Sequence, residues 1–358
     1  MYPLLRIDVA KLRHNAQTLV DLAKSFSISI WGVTKVLGGA PPVGAAMLAG
    51  GVTALADSRL TNLRRLASSF PDTPKVLLRL PSPRQAEAVV HIAACSLNSE
   101  WTTLQALSQA AVAAQRQHRV LLMVDVGDLR EGLWPDQVIP FVKRAIGLPG
   151  LQIAGLGTNL TCYGGVIPSP KNLGILVDLA RELERQGLVQ CEIVSGGNSS
   201  SLQLLQEGKI PRGINNLRLG ESLILGRETV SRHPIAGLHT DAVVLQAEVV
   251  EVKQKPSVPV GHIGQDAFGN KPVFVDRGLQ RRAIVAIGKQ DVDPGGLAPL
   301  DPGITVLGAS SDHLLLDVGA YPGKVKVGQV FSFGLNYAAL LAASTSAYVH
   351  KVYKNYEE

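Results

Sequence analysis

The chain has 358 residues, of which 46% are hydrophobic and 18% charged, so it is long enough for about two domains and too apolar to be disordered or fibrous. Its formal net charge is +6, from 35 Lys and Arg against 29 Asp and Glu. The basic residues are scattered, and no cluster is longer than the pairs Arg64-Arg65 and Arg281-Arg282. This distribution argues against a nucleic-acid-binding surface.

The first part of the chain alternates apolar strands with amphipathic helices. A helix is predicted over residues 10–24, where leucines recur at helical spacing behind Asp8. Further helices are predicted at 62–67, 103–116, 136–145 and 171–186. The predicted strands span residues 28–33, 53–56, 76–80, 94–97, 120–124, 153–157, 192–194 and a segment around Leu217. Eight strands alternating with helices predict a (β/α)₈ barrel, which we assign to residues 1–232.

The pattern changes beyond the barrel to strands separated by Gly, Pro and Asp clusters. One short helix is predicted at 336–344. The strands are predicted at 243–252, 283–287, 304–307, 314–318 and 330–333. We therefore expect a second, mostly antiparallel β domain over residues 233–358, with the N-terminal residues as a candidate for packing on it.

Cysteine usage and hydropathy bear on the compartment. The three cysteines, Cys95, Cys162 and Cys191, form no CxxC pattern, so we expect neither a disulfide framework nor a metal site. Residues 36–56 are uncharged and long enough to span a bilayer, but seven Gly and Pro residues interrupt them. The N-terminus lacks the apolar segment of a secretory signal. We predict a cytoplasmic protein without a membrane span.

The carboxyl ends of barrel strands are where an active site forms, so polar residues there are the first candidates. The first barrel strand delivers Lys35, and a desolvated lysine forms a Schiff base with an aldehyde. The seventh strand leads into a Gly/Ser-rich turn at 195–201, whose free N–H groups suit a phosphate. A structural lysine and an ordinary capped turn are the alternatives. A Schiff-base lysine opposite a phosphate cradle is the arrangement expected for pyridoxal 5′-phosphate (PLP).

Six segments then resemble one known family, in order and with matching spacing. They lie at residues 33–36, 123–132, 157–165, 195–201, 215–220 and 309–313. The most distinctive is the run TNLTCYGG at 158–165. The chain resembles the ornithine racemase branch of the alanine racemase-like, fold type III PLP-dependent amino acid racemases. The resemblance implies an isomerase that uses PLP, and a homodimer whose β domains complete each other's active sites.

The resemblance also implies the cofactor contacts. Lys35 matches the lysine that holds PLP as an internal aldimine and moves the α-proton on one face. Arg218 matches the arginine facing the pyridine nitrogen, where a permanent charge keeps that nitrogen unprotonated and limits side reactions. Arg130 resembles the arginine beside the cofactor phenolate, and Asn159 stands where alanine racemases have a ring-contacting histidine. The implied phosphate contacts are Asn198, Ser199, Tyr348 and the backbone N–H groups of Gly220 and Glu221.

The second acid/base departs from the family pattern. Alanine racemases use a tyrosine from the partner subunit's β domain, and the corresponding stretch here, residues 260–269, contains none. Racemisation still requires a proton donor opposite Lys35. The candidates are Asp266, which we favour, and His262; for each, a plain turn role is the alternative. The sequence after Lys35 also lacks one of the family's phosphate-binding tyrosines.

The predicted substrate follows from acidic loops in the β domain. A cationic substrate side chain requires a carboxylate partner, and Asp266, Asp291, Asp293 and Asp312 are available. Ser311 and Asp312 fall where the family's partner-subunit loop approaches the substrate carboxylate. The 288–295 loop replaces two tyrosines of alanine racemases and gains an acid. We predict ornithine or another basic amino acid, although ordinary turns explain these residues too.

Other functions remain open at this point. The chain is alternatively a broad-specificity or alanine racemase, or a non-catalytic PLP carrier of the homeostasis type. Such carriers typically end after the barrel. Metal-dependent aldolases and dehydratases of this fold, and its basic amino acid decarboxylases, need a cysteine near the C-terminus, and none follows Cys191. A phosphosugar barrel using Lys35 without PLP is the least favoured, because the chain has two domains.

Overall fold

A computed structural model describes residues 1–355 of the chain. It contains a closed barrel of eight parallel strands and, separately, a mostly antiparallel sheet of eight strands. The predicted fold class is therefore confirmed. The chain divides into a barrel unit, Val9–Thr240, and a β unit formed by Met1–Asp8 and the residues from Asp241 onward.

The first strand, β1 (Leu4–Asp8), belongs to the β unit, and the barrel follows it. The barrel strands are β2 (Ser29–Val33), β3 (Ala54–Asp57), β4 (Lys75–Leu77), β5 (Cys95–Asn98), β6 (His118–Met123), β7 (Leu151–Gly157), β8 (Ile193–Ser195) and β9 (Asn216–Leu219). The barrel closes where β9 pairs with β2, in a register that sets Arg218 beside Trp31. Apolar side chains such as Val33, Ala56 and Leu121 form a buried cluster drawn from several strands.

Helices follow most of the barrel strands, as the alternating pattern predicts. They are α1 (Val9–Lys24), α2 (Pro41–Ala49), α3 (Leu60–Ser69), α4 (Ala86–Ile92), α5 (Trp101–Ala113), α6 (Val138–Ala145), α7 (Pro170–Arg185), α8 (Leu202–Gln206) and α9 (Glu221–Leu225). The uncharged stretch at 36–56 contains α2 and the start of β3, in agreement with the interpretation of its Gly and Pro residues. Within residues 1–355, no helix is both long and apolar enough to cross a membrane.

The barrel unit extends to Thr240, eight residues beyond the boundary expected from the sequence. Asn15, buried on α1, explains this extension. Its amide donates to the backbone oxygens of Leu223 and His239 at 3.1 and 2.9 Å, and accepts from the His239 N–H at 2.7 Å. These bonds fasten the segment after α9 to the first helix of the barrel.

Among the described residues, the β unit contains eight strands and one α-helix. Its elements after β1 are β10 (Val243–Pro256), β11 (Leu279–Val285), β12 (Leu297–Pro299), β13 (Thr305–Ala309), β14 (Leu314–Asp317), β15 (Val330–Leu335), α10 (Tyr337–Thr345) and β16 (His350–Lys354). The strand β1 pairs antiparallel with β10 and parallel with β16. Neither β1 nor β16 was expected from the sequence, although the buried Leu5 and Ile7 alternate with less buried neighbours as a strand requires.

A buried histidine in the barrel unit predicts a pH-dependent stability. His118 on β6 is 2% exposed, its Nε2 lies 2.7 Å from Ser96 Oγ, and burial lowers its pKa from 6.5 to about 4. Between these pH values the unfolded chain binds a proton that the folded chain does not, so stability falls as the pH drops through that window. We predict that His118 contributes about 2–3 kcal/mol to the loss of unfolding free energy between pH 7 and pH 4.5.

Chemical denaturation at several pH values measures this contribution. His118→Gln should show a shallower dependence of stability on pH than the wild type, whatever its stability at pH 7. His91→Gln, a change at an exposed position of α4, should keep the wild-type slope. Equal slopes in all three proteins would contradict the assignment.

Candidate active site

Lys35 is separated from the end of β2 by Thr34 alone and begins a 3₁₀ turn, Lys35–Leu37. The turn ends at Gly38, whose φ of +65° suits glycine and whose N–H donates to the Lys35 oxygen at 3.1 Å. Thr34, before the lysine, is fully buried, whereas the Lys35 side chain is exposed. The strand end therefore presents an amine at the carboxyl end of the barrel, where the sequence predicts it.

Arg218 on β9 is a buried cation, 4% exposed. Its guanidinium donates to the Thr158 backbone oxygen at 2.6 Å and to the Ser195 hydroxyl, residues at the ends of β7 and β8. Burial lowers its pKa to about 10, so it remains charged at neutral pH. Within residues 1–355 it forms no ion pair. The barrel thus holds a buried charge on β9, the strand that pairs with β2, and β2 leads to Lys35.

The side chains of two asparagines and one cysteine form a hydrogen-bonded group that includes the Arg218 guanidinium. Asn159 Oδ1 is 3.5 Å from Arg218 Nη2 and accepts from Asn198 Nδ2 at 2.9 Å. Cys162 Sγ accepts from Asn159 Nδ2 at 3.0 Å and lies 3.4 Å from Asn198 Nδ2. Asn159 and Asn198 were predicted from the resemblance. Cys162 was not predicted at the site, and only its position in the TNLTCYGG run hinted at it.

Arg130 lies next to Asn159 and pairs with the carboxylate of Glu131. Its guanidinium donates through Nε and Nη2 to the two oxygens of Glu131, and this bidentate pair raises the pKa of Arg130. Asn159 also lies beside Arg130: with its amide in the opposite orientation, which gives up the bonds to Arg218 and Cys162 described above, its oxygen lies 3.1 Å from Arg130 Nη1. Asn159 is therefore within reach of both arginines, and Glu131 is a contact that the sequence did not reveal.

Two short helices start next to each other at the predicted phosphate-binding turn. Ser199 begins a 3₁₀ turn capped by Asn198, and its Oγ lies 2.9 Å from the Oγ of Ser222 in the first turn of α9. Gly220 immediately precedes α9, and a Cβ there would lie 3.0 Å from the Val33 Cβ, a tight contact that glycine avoids. The two helix starts thus lie next to each other, and Gly220 packs on the end of β2.

Glu221 lies at the start of α9, where its backbone N–H was predicted to contact phosphate. Its side chain forms an ion pair with Arg232. Burial raises the pKa of Glu221, whereas the charges of Arg232 and Lys35 act to lower it. The carboxylate therefore interacts electrostatically with the candidate lysine.

Two aspartates that the sequence analysis left without a role organise the loops of the site. Asp125 Oδ1 accepts from the N–H groups of Gly127 and Leu129 at 2.8 and 3.2 Å, which shapes the loop leading to Arg130. The Asp-x-Gly pattern is the local signal for such a turn. Asp128 accepts from three N–H groups in the loop after Asn159. They belong to Cys162, Tyr163 and Val166, at 3.0–3.2 Å.

The candidates for the second acid/base lie in the β unit. Asp266 and His262 are in the exposed stretch between β10 and β11. The N–H groups of Asn270 and Phe268 donate to Asp266 Oδ1 at 2.8 and 2.9 Å and lower the pKa of that carboxyl. The neighbouring Phe268 ring lies 3.8 Å from the Lys289 ammonium, which ties this stretch to the 288–295 loop.

The predicted substrate residues occupy adjoining loops of the β unit. Asp291 is 7% exposed and accepts from Ser346 Oγ at 2.7 Å, whereas Asp293 caps a 3₁₀ turn by accepting from the Gly295 N–H at 3.1 Å. Asp312 accepts from the Ser311 hydroxyl at 2.8 Å.

A close backbone approach holds these loops together. A Cβ on Gly288 would lie 2.2 Å from the Ser311 oxygen, so the two loops are in backbone contact. Tyr348, predicted as a phosphate contact, is exposed just after α10, and its N–H donates to Ser346 Oγ at 3.1 Å. Within the β unit, Asp291 and Tyr348 thus share contacts with Ser346, and the 288–295 loop contacts the loop of Ser311.

Among residues 1–355, no group of three or more His, Cys, Asp or Glu side chains is placed to share a metal ion.

The chain is similar to several known proteins. Residues 7–228 match the family described as alanine racemase, N-terminal domain. The chain is 44% identical over 352 residues to the ornithine racemase of Acetoanaerobium sticklandii, covering 98% of this chain and 99% of that protein. It is 42% identical over 355 residues to the lysine racemase of Thermotoga maritima, covering 99% of each. An alanine racemase structure from Streptomyces lavendulae shares the fold, with a TM-score of 0.74, 18% identity and coverage of 100% of this chain and 99% of that one.

The role of Asp128 gives a testable prediction. Burial raises the pKa of its carboxyl, but the N–H groups donated to it lower that pKa more. Asp128→Asn replaces a carboxylate oxygen by a donor, so we expect a loss of about 1–3 kcal/mol in local stability. Hydrogen exchange should become faster at the amides of Cys162, Tyr163 and Val166. Asp136→Asn, at an exposed position, is the control; unchanged exchange in Asp128→Asn would show that the carboxylate does not hold the loop.

Proposed function

The chain belongs to the family of the alanine racemase N-terminal domain, and on that premise we propose that it is a PLP-dependent amino acid racemase. We propose basic amino acids as its substrates, with ornithine first. The observation that carries the proposal is a likeness over at least 98% of the chain to racemases of two basic amino acids. A broad-specificity or alanine racemase is the alternative within the same reaction.

The polar groups of the barrel unit fit PLP. Ser200 Oγ, in the turn that begins at Ser199, is buried without a hydrogen-bond partner. A buried polar group left without a partner costs free energy, so a ligand that bonds to it stabilises this arrangement. Gly220 packs closely on the end of β2, since a Cβ at position 220 would lie 3.0 Å from the Val33 Cβ.

Each barrel residue then takes a role toward that cofactor. PLP, when bound, draws away the electron pair that remains on the substrate's α-carbon after proton removal. Lys35 would attach the cofactor and carry the α-proton at Nζ on one face. Arg218 would face the ring nitrogen, and its charge disfavours protonation of that atom. The remaining proposed contacts of the barrel unit are Arg130 at the phenolate, Asn159 at the ring, and Asn198, Ser199 and the backbone N–H groups of Gly220 and Glu221 at the phosphate. Tyr348 of the β unit is a further proposed phosphate contact.

Two residues of the β unit are our candidates for the second proton carrier. Asp266 remains the first candidate and His262 the second. The N–H groups of Asn270 and Phe268 lower the pKa of the Asp266 carboxyl and so keep it ionised. An ionised carboxylate accepts a proton, but its low pKa makes it a weak base. For the substrate, we propose that Ser311 and Asp312 approach its carboxylate end, and that Asp291 and Asp293 make its distal end acidic.

We further propose a homodimer in the cytoplasm. Several apolar side chains in the stretch between β10 and β11 are two thirds or more exposed, namely Val260, Val273, Val275 and Leu279. Exposed apolar groups of this kind favour association, and isologous pairing of two copies is the commonest outcome. The three cysteines are free thiols, which supports a reducing compartment.

Replacement of Lys35 tests the reaction. Lys35→Ala should lose the visible absorbance band of lysine-bound PLP and all racemisation, because no other residue supplies the amine. Lys171→Ala, at an exposed position of α7, should retain both. Chiral chromatography after incubation with L-ornithine, L-lysine, L-arginine or L-alanine measures the reaction, and the basic substrates should react fastest. Full racemisation by Lys35→Ala would overturn the assignment, and faster turnover of alanine would overturn the substrate class.

Two amide substitutions test the second proton carrier. Asp266→Asn should slow racemisation by about 10²-fold or more while leaving PLP binding unchanged, and His262→Gln should change the rate by only a few-fold. The reverse ranking would assign the role to His262. Near wild-type rates in the double variant would remove both residues from the mechanism.

A further inference from the structure

A buried carboxyl group that contacts the residue before the candidate lysine has no role in the proposed reaction. Asp57, the last residue of β3, is fully buried in the barrel unit. Its Oδ2 accepts from the Thr34 hydroxyl at 2.8 Å, and Thr34 is fully buried too. Its Oδ1 accepts from the Arg59 N–H at 2.9 Å and from Asn62 Nδ2 at 3.0 Å. The carboxyl thus joins the residue before Lys35 to the start of α3.

Burying a carboxyl is costly unless its oxygens are well hydrogen-bonded, so this arrangement is not incidental. Burial raises the pKa of Asp57, and its hydrogen bonds, that from Thr34 foremost, act in the opposite direction. The contact of Asp57 next to the lysine is with Thr34, the residue that precedes Lys35 in the chain. An effect of Asp57 on the lysine would therefore act through Thr34.

Thr34 is also the anchor of the turn that carries Lys35. Its backbone N–H donates to the Ala56 oxygen at 2.9 Å, and its own oxygen accepts from the N–H groups of Leu37 and Gly39 at 3.0 and 3.4 Å. The far side of the turn rests on α3, because a Cβ on Gly39 would lie 2.6 Å from the Asn62 Cβ. One residue thus links the lysine turn to β3 by backbone bonds and to Asp57 by its hydroxyl.

We propose that the hydrogen bond from Thr34 to Asp57 is a positioning device that fixes the direction in which Lys35 leaves β2. The proposal rests on the proposed function, because it concerns the lysine that would hold PLP. A rigid attachment matters because misplacement by about 1 Å costs of the order of 10²-fold in rate. Without the bond, the 3₁₀ turn would keep its backbone contacts but lose the side-chain tie that orients it.

Thr34→Val tests this device, since it removes the hydroxyl and keeps the side-chain shape. We expect about tenfold weaker PLP binding and a lower kcat with little change in KM. Thr34→Ser, which retains the donor, should restore PLP binding to within about threefold. Thr103→Val is the matched control, because it removes another buried threonine hydroxyl, one that donates to the Pro81 oxygen at 3.4 Å.

The readouts are the PLP dissociation constant from absorbance titration, the split between kcat and KM, and the melting temperature of the PLP-free protein. A purely structural role predicts a lower melting temperature with PLP affinity and kcat as in Thr103→Val, and that result would overturn the proposal. Adding Thr34→Val to Asp57→Asn should cost less than the two single effects combined, because both changes break one bond. A wild-type protein that binds no PLP would refute the proposed function instead, whereas wild-type affinity and kcat in Thr34→Val would refute only the positioning role.

Discussion

The buried guanidinium of Arg218 is the constraint on which the arrangement of the barrel's carboxyl end depends. A charge removed from water is tolerated only when its donors find acceptors. Here the acceptors come from the ends of two other strands, through the Thr158 oxygen and the Ser195 hydroxyl. The pairing of β9 with β2 in turn places the arginine next to the strand that delivers Lys35. The same closure of the barrel therefore positions both the cation and the amine.

Much of this site was predictable from the sequence because barrel geometry converts strand ends into neighbours. Lys35, the 195–201 turn and Arg218 each lie at or near a strand end in the linear pattern. The resemblance then supplied roles that no periodicity contains. Asp125 also had a local signal, since its Asp-x-Gly turn is readable in the sequence alone.

Other contacts could not be predicted from local sequence patterns, because they join residues that are far apart in the chain and depend on how the strands pair. Thr34 and Asp57 are 23 residues apart and meet only through the pairing of β2 with β3. Asp128 reaches N–H groups more than 30 residues away. The strand β1 joins the β unit by pairing with β10 and β16, far along the chain. A window of sequence carries no record of such partners.

The β unit shows how the same residue type serves different purposes. Asp293 completes a turn, Asp291 is buried against Ser346, and Asp312 is exposed beside Ser311. Composition alone ranks them equally as partners for a cationic substrate, whereas burial and hydrogen bonding distinguish them. Asp293 and Asp312 are both exposed and so accessible to a ligand, whereas Asp291 would have to exchange its bond with Ser346.

Proton NMR of L-ornithine with the PLP-loaded protein in deuterated water, with chiral chromatography of the same sample, tests the central claim most directly. A racemase that moves the α-proton through Lys35 exchanges that proton with solvent. Enantiomers have equal free energies, so the account predicts loss of the α-proton signal while D-ornithine accumulates to equal amounts with the L form. A persistent α-proton signal without D-ornithine, or release of carbon dioxide from the substrate, would contradict it.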